Sequence, residues 1–341
     1  MAARRVARFA IGSAAVVAGA YFYTEVAGCN YLGVDDLKGQ VFILTGATHP
    51  GIGKETAREL AKQGGTVILA AKNMDRCHQA RRDLIYSNKY STREVECRSL
   101  DLKSLRSVRK FVDDLPKDLK LTAVINTAES VKKTQREETH DGLEKQMGVS
   151  HFGHFLLTRL LMDKYKDDGR WRIVSVTYPS SGQSSMNFAD INSEVKYDPQ
   201  AVYKQAKLAT LLTTLELGKR FDDNPNITAN AVYPGLCNTE VFRHVMGNQP
   251  FLARLLLQPV LRMMFTSPEK ACQSVLFAVL SPKLTNVSGK YINECRIIEL
   301  PSEASVNAES ARKLWDLSEQ VVADPSKFVA SQTAAAQKLA A

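Results

Sequence analysis

From Gly39 onward, short apolar runs alternate with longer stretches of mixed polar and apolar residues. Val41–Thr45, Thr66–Ala71, Glu94–Leu100, Ala123–Asn126, Ile173–Val176 and Ile227–Val232 have the length and β-branched content of buried strands. Between them, Lys54–Gly64, Met74–Tyr86, Lys145–Tyr165 and Ala201–Phe221 carry apolar residues at helical spacing. Repeated strand–helix alternation implies right-handed crossovers and a parallel sheet covered on both faces. The expected fold is α/β, a doubly wound parallel sheet, and the expected domain spans residues 35–325. No internal repeat interrupts it. Residues 326–341, rich in Ala, Gln and Lys, predict a weakly ordered tail.

Residues 1–34 have a different pattern. Arg4, Arg5 and Arg8 precede the apolar run Phe9–Tyr23, and no acidic residue occurs before Glu25. An apolar run of about 15 residues is short against the roughly 17–25 of a spanning helix. Tyr21 and Tyr23 are suited to a membrane interface. An uncleaved signal anchor, an Arg-rich mitochondrial presequence and a cleaved secretory signal all share this pattern. The anchor is favoured, which predicts attachment to the mitochondrial inner membrane or the endoplasmic reticulum. Arginines ahead of the run and acids behind it place the N-terminus on the positive side. Asn226-Ile227-Thr228 and Asn286-Val287-Ser288 are glycosylation acceptors if the domain is lumenal.

Charge and cysteine content narrow the classes further. Lys and Arg exceed Asp and Glu by nine, but the excess is scattered and not interleaved with aromatics, so nucleic acid is not an expected partner. The positive balance suits an anionic cofactor or membrane face. Cysteines 29, 77, 97, 237, 272 and 295 are widely spaced without a CxxC, which predicts unpaired thiols and no zinc site. His151 and His154 lie on one helix without a companion ligand set, so packing roles are expected and no metal.

The candidate chemistry begins at Thr45-Gly46-Ala47-Thr48-His49-Pro50-Gly51-Ile52-Gly53, between the first strand and a helix. Glycines there permit a tight turn, and the helix N-terminus offers free N–H groups to a diphosphate. The motif resembles TGxxxGIG of the short-chain dehydrogenases, especially their retinol-dehydrogenase branch, with one extra residue in the loop. That resemblance implies a Rossmann-type fold and assigns Gly46, Gly51, Ile52 and Gly53 to the cofactor. The second strand ends in Lys72 with no acid at its tip. A carboxylate there would suit the ribose of NAD, a base the 2′-phosphate of NADP, so NADP(H) is expected. Asp101 resembles the family's adenine-contacting acid. Asn126 matches the first part of NNAG, from which Thr127 and Glu129 depart. Pro234, Gly235 and Thr239 match PGxxxT beside the nicotinamide.

Tyr203-Lys204-Gln205-Ala206-Lys207 is YxxxK. Residues four apart share a helix face, so the Lys207 ammonium lies near the Tyr203 phenol and lowers its pKa. The resemblance assigns Tyr203 as acid/base and Lys207 also to the nicotinamide ribose. Two further positions differ. The family's serine falls at Tyr178, with Thr177 and Ser180 as nearby hydroxyls, a register supported by Asn187–Asn192. The family's asparagine, which helps hold a water, falls at Ser150. The expectation is an oxidoreductase interconverting a lipophilic alcohol and its aldehyde or ketone. The alternative is a catalytically impaired protein of the same fold that binds NADP or a partner. Phe251–Phe265 stands where the family covers its substrate, and family members pair through the YxxxK helix, which implies a possible homodimer.

Overall fold

The computed structural model describes residues 29–31, 33, 36–88, 95–130, 133–167, 169–177, 185–221, 224, 226–235, 237, 266–300 and 306–340. Apart from 29–31 and 33, the expected anchor 1–34 lies outside them. Among the described residues, no helix is long and apolar enough to cross a membrane.

The six apolar runs form β1 (Val41–Thr45), β2 (Thr66–Ala71), β3 (Val95–Ser99), β4 (Leu121–Asn126), β5 (Trp171–Val176) and β6 (Ile227–Tyr233). Two short strands that the hydrophobic pattern does not announce, β7 (Lys290–Asn293) and β8 (Arg296–Ile298), extend the sheet. The order is β3-β2-β1-β4-β5-β6-β7-β8, parallel except for the antiparallel β7–β8 pair. Helices α1 (Ile52–Lys62), α2 (Met74–Asn88), α3 (Leu105–Asp113), α4 (Lys145–Met147), α5 (His154–Lys164), α6 (Pro199–Arg220), α7 (Pro268–Leu280), α8 (Ala308–Ala323) and α9 (Pro325–Ala340) complete it.

Alternate residues of each central strand feed two cores, one on each face. Phe42, Leu44, Val67 and Leu69 pack in the core that includes Leu60 of α1 and Val275 of α7. Ile43, Ile68 and Val124 pack with Phe155, Leu208 and Leu212 from α5 and α6. Burial on both faces is why these strands read as continuous apolar runs. The chain reverses its direction of winding between β1 and β4, and the crevice beyond the strand C-termini at that point is where such sheets place ligands.

Residues from 326 onward, expected to be weakly ordered, form most of α9. Its Phe328 is buried against Phe152. Helix α8 lies across α5 and α6. Trp315 meets Phe155 edge-on with centroids 5.0 Å apart, and the Arg220 guanidinium sits 4.9 Å over its ring. Arg159–Glu319 at 2.8 Å and Arg220–Asp316 at 3.2 Å tie the rims. The cysteine expectation needs correction: Cys77 of α2 bonds Cys97 of β3, with Cα atoms 5.9 Å apart, and Cys29 bonds Cys295. Residues distant in sequence became neighbours only in the folded chain, which spacing does not reveal.

Candidate functional site

At the tip of β1 the chain turns through Gly46, whose φ of +73° favours glycine; a Cβ there would lie 2.7 Å from the Ala128 nitrogen. A Cβ on Gly53 would meet the Thr127 Oγ1 at 2.6 Å and the Gly46 carbonyl oxygen at 2.8 Å. Thus the loop and α1 sit directly on the segment after β4. Gly51, by contrast, caps α1 in extended conformation and offers the helix amides no side-chain cap, and a Cβ there would meet nothing within 4 Å. Ile52 opens the helix and packs against the core below. Free N–H groups over open space are what a diphosphate requires. The residues present fit a dinucleotide.

Lys72 is exposed immediately beyond β2 and makes no ion pair among the described residues. Two further bases, which the sequence reading missed, stand nearby. The Arg76 guanidinium donates to His49 Nε2 at 2.7 Å, and His49 Nδ1 lies 3.2 Å from the Thr48 hydroxyl. Because arginine only donates, Nε2 must accept, which leaves the proton on Nδ1. No motif links a loop histidine to a base 27 positions later; the fold does. Asp101 follows β3, where its carboxylate accepts from the Lys103 amide at 3.0 Å and lies 3.6 Å from His140.

Under this rim lies a buried polar layer. The Thr45 Oγ1 accepts from the amides of Thr127 and Ala128, each at 3.1 Å, and contacts His154 Nε2 at 2.9 Å. With both acceptor sites filled, the hydroxyl donates to Nε2, so His154 carries its proton on Nδ1 and donates to the Ser150 carbonyl at 3.3 Å. Burial, then the Lys207 charge, press the His154 pKa down to about 4, so the ring is neutral. Thr127 also donates to the Thr45 carbonyl. Asn126 donates to Thr158 and, at 3.5 Å, to Ser175, while its Oδ1 has no partner among the described residues.

Ser150 belongs to a π-helical turn, Gly148–Gly153, that joins α4 to α5. The turn redirects the backbone carbonyls: that of Ser150 accepts from His154 and also from Thr210 of α6, at 3.3 Å. Sequence periodicity gives no sign of this turn, since one added residue barely disturbs the apolar stripe.

Tyr203 and Lys207 share a face of α6, as their spacing requires, with the ammonium 5.7 Å from the phenol ring centroid. The Thr177 hydroxyl, at the end of β5, donates to the Lys207 carbonyl at 2.7 Å and is buried. It therefore fixes the helix and points at backbone. The Lys207 ammonium is itself held by Glu129, 2.7 Å away, from the segment after β4. Burial opposes the lysine charge, but Glu129 and Tyr203 more than offset it, and the pKa lies above the ordinary lysine value. Pro234 is buried and Gly235 adopts φ +83° just beyond β6. Tyr178, Ser180, Thr239 and Phe251–Phe265 lie outside the described residues. The site's described parts converge at the strand C-termini around β1, β4 and β5.

A family model described as short chain dehydrogenase matches residues 40–249. Retinol dehydrogenase 13 of Mus musculus is 37% identical over 84% of each chain. Retinol dehydrogenase 14 of Homo sapiens is 36% identical, covering 84% of this chain and 87% of that one. Short-chain dehydrogenase TIC 32 B, a chloroplastic protein of Brassica napus, is 33% identical over 84% of this chain and 90% of its own. Among solved structures, an uncharacterized protein from Mycobacterium paratuberculosis superposes with a TM-score of 0.67 at 28% identity, covering 87% of this chain and 98% of that one. L-sorbose reductase from Gluconobacter frateurii, solved with NADPH and L-sorbose, shares the fold with a TM-score of 0.59 at 21% identity over 76% of this chain and 97% of that one. The chain belongs to the short-chain dehydrogenase family, whose members are oxidoreductases that bind NAD(P)(H).

Proposed function

We propose that the protein is an NADP(H)-dependent oxidoreductase that interconverts a lipophilic alcohol and its aldehyde or ketone. The observation that carries this reading is the buried Lys207 ammonium beside the Tyr203 ring, set at the same strand ends as the open glycine loop. The preference for NADP(H) over NAD(H) rests on Lys72, Arg76 and His49, three bases where a 2′-phosphate would be received. The lipophilic substrate rests on the likeness to retinol dehydrogenases.

A bound nicotinamide supplies or takes a hydride at the substrate carbon. Tyr203 passes a proton to, or takes one from, the substrate oxygen. Gly51 and the amides of α1 would hold the diphosphate and Asp101 the adenine end, with Asn126 in the buried layer beneath the nicotinamide end. Lys207 would orient the ribose and tunes Tyr203. Pro234 and Gly235 would close the far side, and Thr239 completes the family's motif there. Thr177 and Ser150 position α6, one through the Lys207 carbonyl and the other through Thr210. Tyr178 or Ser180 supplies the second hydroxyl to the substrate oxygen. Residues 1–34 attach the domain to the mitochondrial inner membrane or the endoplasmic reticulum, which alkaline carbonate extraction of membranes would test.

The test is NADPH binding followed by fluorescence, then NADPH oxidation with all-trans-retinal and other lipophilic aldehydes and ketones, with NADH in parallel. Tyr203→Phe is expected to lower turnover at least 100-fold, within the usual 10²–10⁴ for acid–base groups, while the NADPH dissociation constant changes little. Unchanged turnover would refute the mechanism. Tight binding with no turnover in the unmutated protein would instead support the alternative, a nucleotide-binding protein with the same fold.

A further inference from the structure

Lys207 reaches Tyr203 from within α6, but its ammonium is also gripped from outside the helix. We propose that Glu129 is a positioning residue that works through Lys207, keeping the Tyr203 phenol protonated to higher pH and so extending the pH range of carbonyl reduction. The proposal rests on the reading of Tyr203 as acid/base.

The geometry is direct. Glu129 Oε2 lies 2.7 Å from Lys207 Nζ, with the lysine side chain 11% and the glutamate 39% exposed. A lone ammonium beside a phenol stabilises the phenolate; a carboxylate bonded to that ammonium cancels most of its field. Of the described groups near this pair, three carry no charge. His154, from α5, is neutral above about pH 4, and Thr177 and Thr45 are uncharged. Lys204 lies about 100° around the helix from Tyr203. During reduction the phenol O–H bond breaks and its proton goes to the substrate oxygen as hydride reaches the carbon. During oxidation the phenolate must take that proton. A paired Lys207 favours the first state of Tyr203, an unpaired one the second. Only the fold makes this pairing, because Glu129 follows β4 whereas Lys207 is 78 positions later on α6.

The experiment compares the full chain with Glu129→Gln and Glu129→Asp, each with and without Tyr203→Phe. Tyrosinate absorbance is followed as pH rises, without cofactor, and the Phe difference isolates Tyr203 from the other tyrosines. Glu129→Gln should move the Tyr203 midpoint down by about one pH unit, and Glu129→Asp, which keeps the charge, should stay near the unmutated value. The alkaline fall of NADPH-dependent aldehyde reduction should move in step. A midpoint unchanged in Glu129→Gln overturns the proposal whatever the turnover. A shifted midpoint without turnover in any variant upholds the coupling and overturns instead the acid/base reading on which its link to reduction rests. Coincident thermal melts of the three proteins would show that the shift is electrostatic.

Discussion

At the scale of single residues, the site is governed by where a side chain is forbidden and where a charge is answered. Gly46 and Gly53 lie against backbone and Thr127, so their lack of Cβ is a packing requirement, whereas Gly51 faces open space and leaves amides free for a ligand. Gly46→Ala should therefore cost about 2 kcal/mol or more, combining an unfavourable φ with overlap against Ala128. Chemical denaturation would measure it. Gly51→Ala should cost less stability and show its effect mainly in NADPH affinity. If both substitutions lowered stability equally, the division between packing and binding glycines would fail. Thr177 shows the complementary case, a hydroxyl placed by β5 at the site but engaged with the Lys207 carbonyl.

At the scale of elements, the π-turn and its two histidines link the sheet to the outer helices. His151 donates through Nε2 to Ser318 of α8, whose own hydroxyl donates to Leu314; burial, then His154, hold its pKa at about 3. His154 is held at about 4. Both values lie below the ordinary 6.5, so the folded state binds protons less readily than the unfolded chain. The stability they contribute is full above pH 6.5 and is lost as pH falls through His154 at about 4 and then His151 at about 3. Below pH 6 each histidine should remove about 1.4 kcal/mol per pH unit. Urea unfolding at pH 7, 6 and 5 would measure the slope, and His151→Gln should nearly halve it. Much of this level was legible in sequence. The apolar runs gave β1 to β6 because buried parallel strands need such runs, and Tyr203 with Lys207 follow from helical spacing alone. The short edge strands β7 and β8 were not legible: β8 is exposed along its length and β7 begins on an exposed lysine, so neither carries a sustained apolar signal. Nor were Glu129–Lys207, Arg76–His49 and Cys77–Cys97, since each joins residues from different elements. The bulged turn escaped because its sequence is as apolar as the helix around it.

At the scale of the whole molecule, one sheet with two cores holds the site at its C-terminal edge, and the last two helices decide what the opposite flank can do. The resemblance implies pairing of two copies through the helix carrying Tyr203. Here α8 lies across α5 and α6, with Trp315 between Phe155 and two arginines. A partner seated on that contact would have to displace α8. Trp315→Ala should destabilise the domain by about 3 kcal/mol, in the range of buried aromatic truncations, and expose the apolar flank. Light scattering would then show more association in the variant than in the unmutated domain at equal concentration.

Because α8 is covalently tethered, its hold on α5 and α6 is a first-order matter. Two copies meeting by diffusion lose their contact as they are thinned out; a helix on the same chain does not. Whatever rigidity α8 lends to the helix bearing Tyr203 and Lys207 is thus insensitive to how much protein is present. The share of the thermal midpoint that α8 secures, read as the loss in Trp315→Ala, should therefore stay level over a hundredfold dilution.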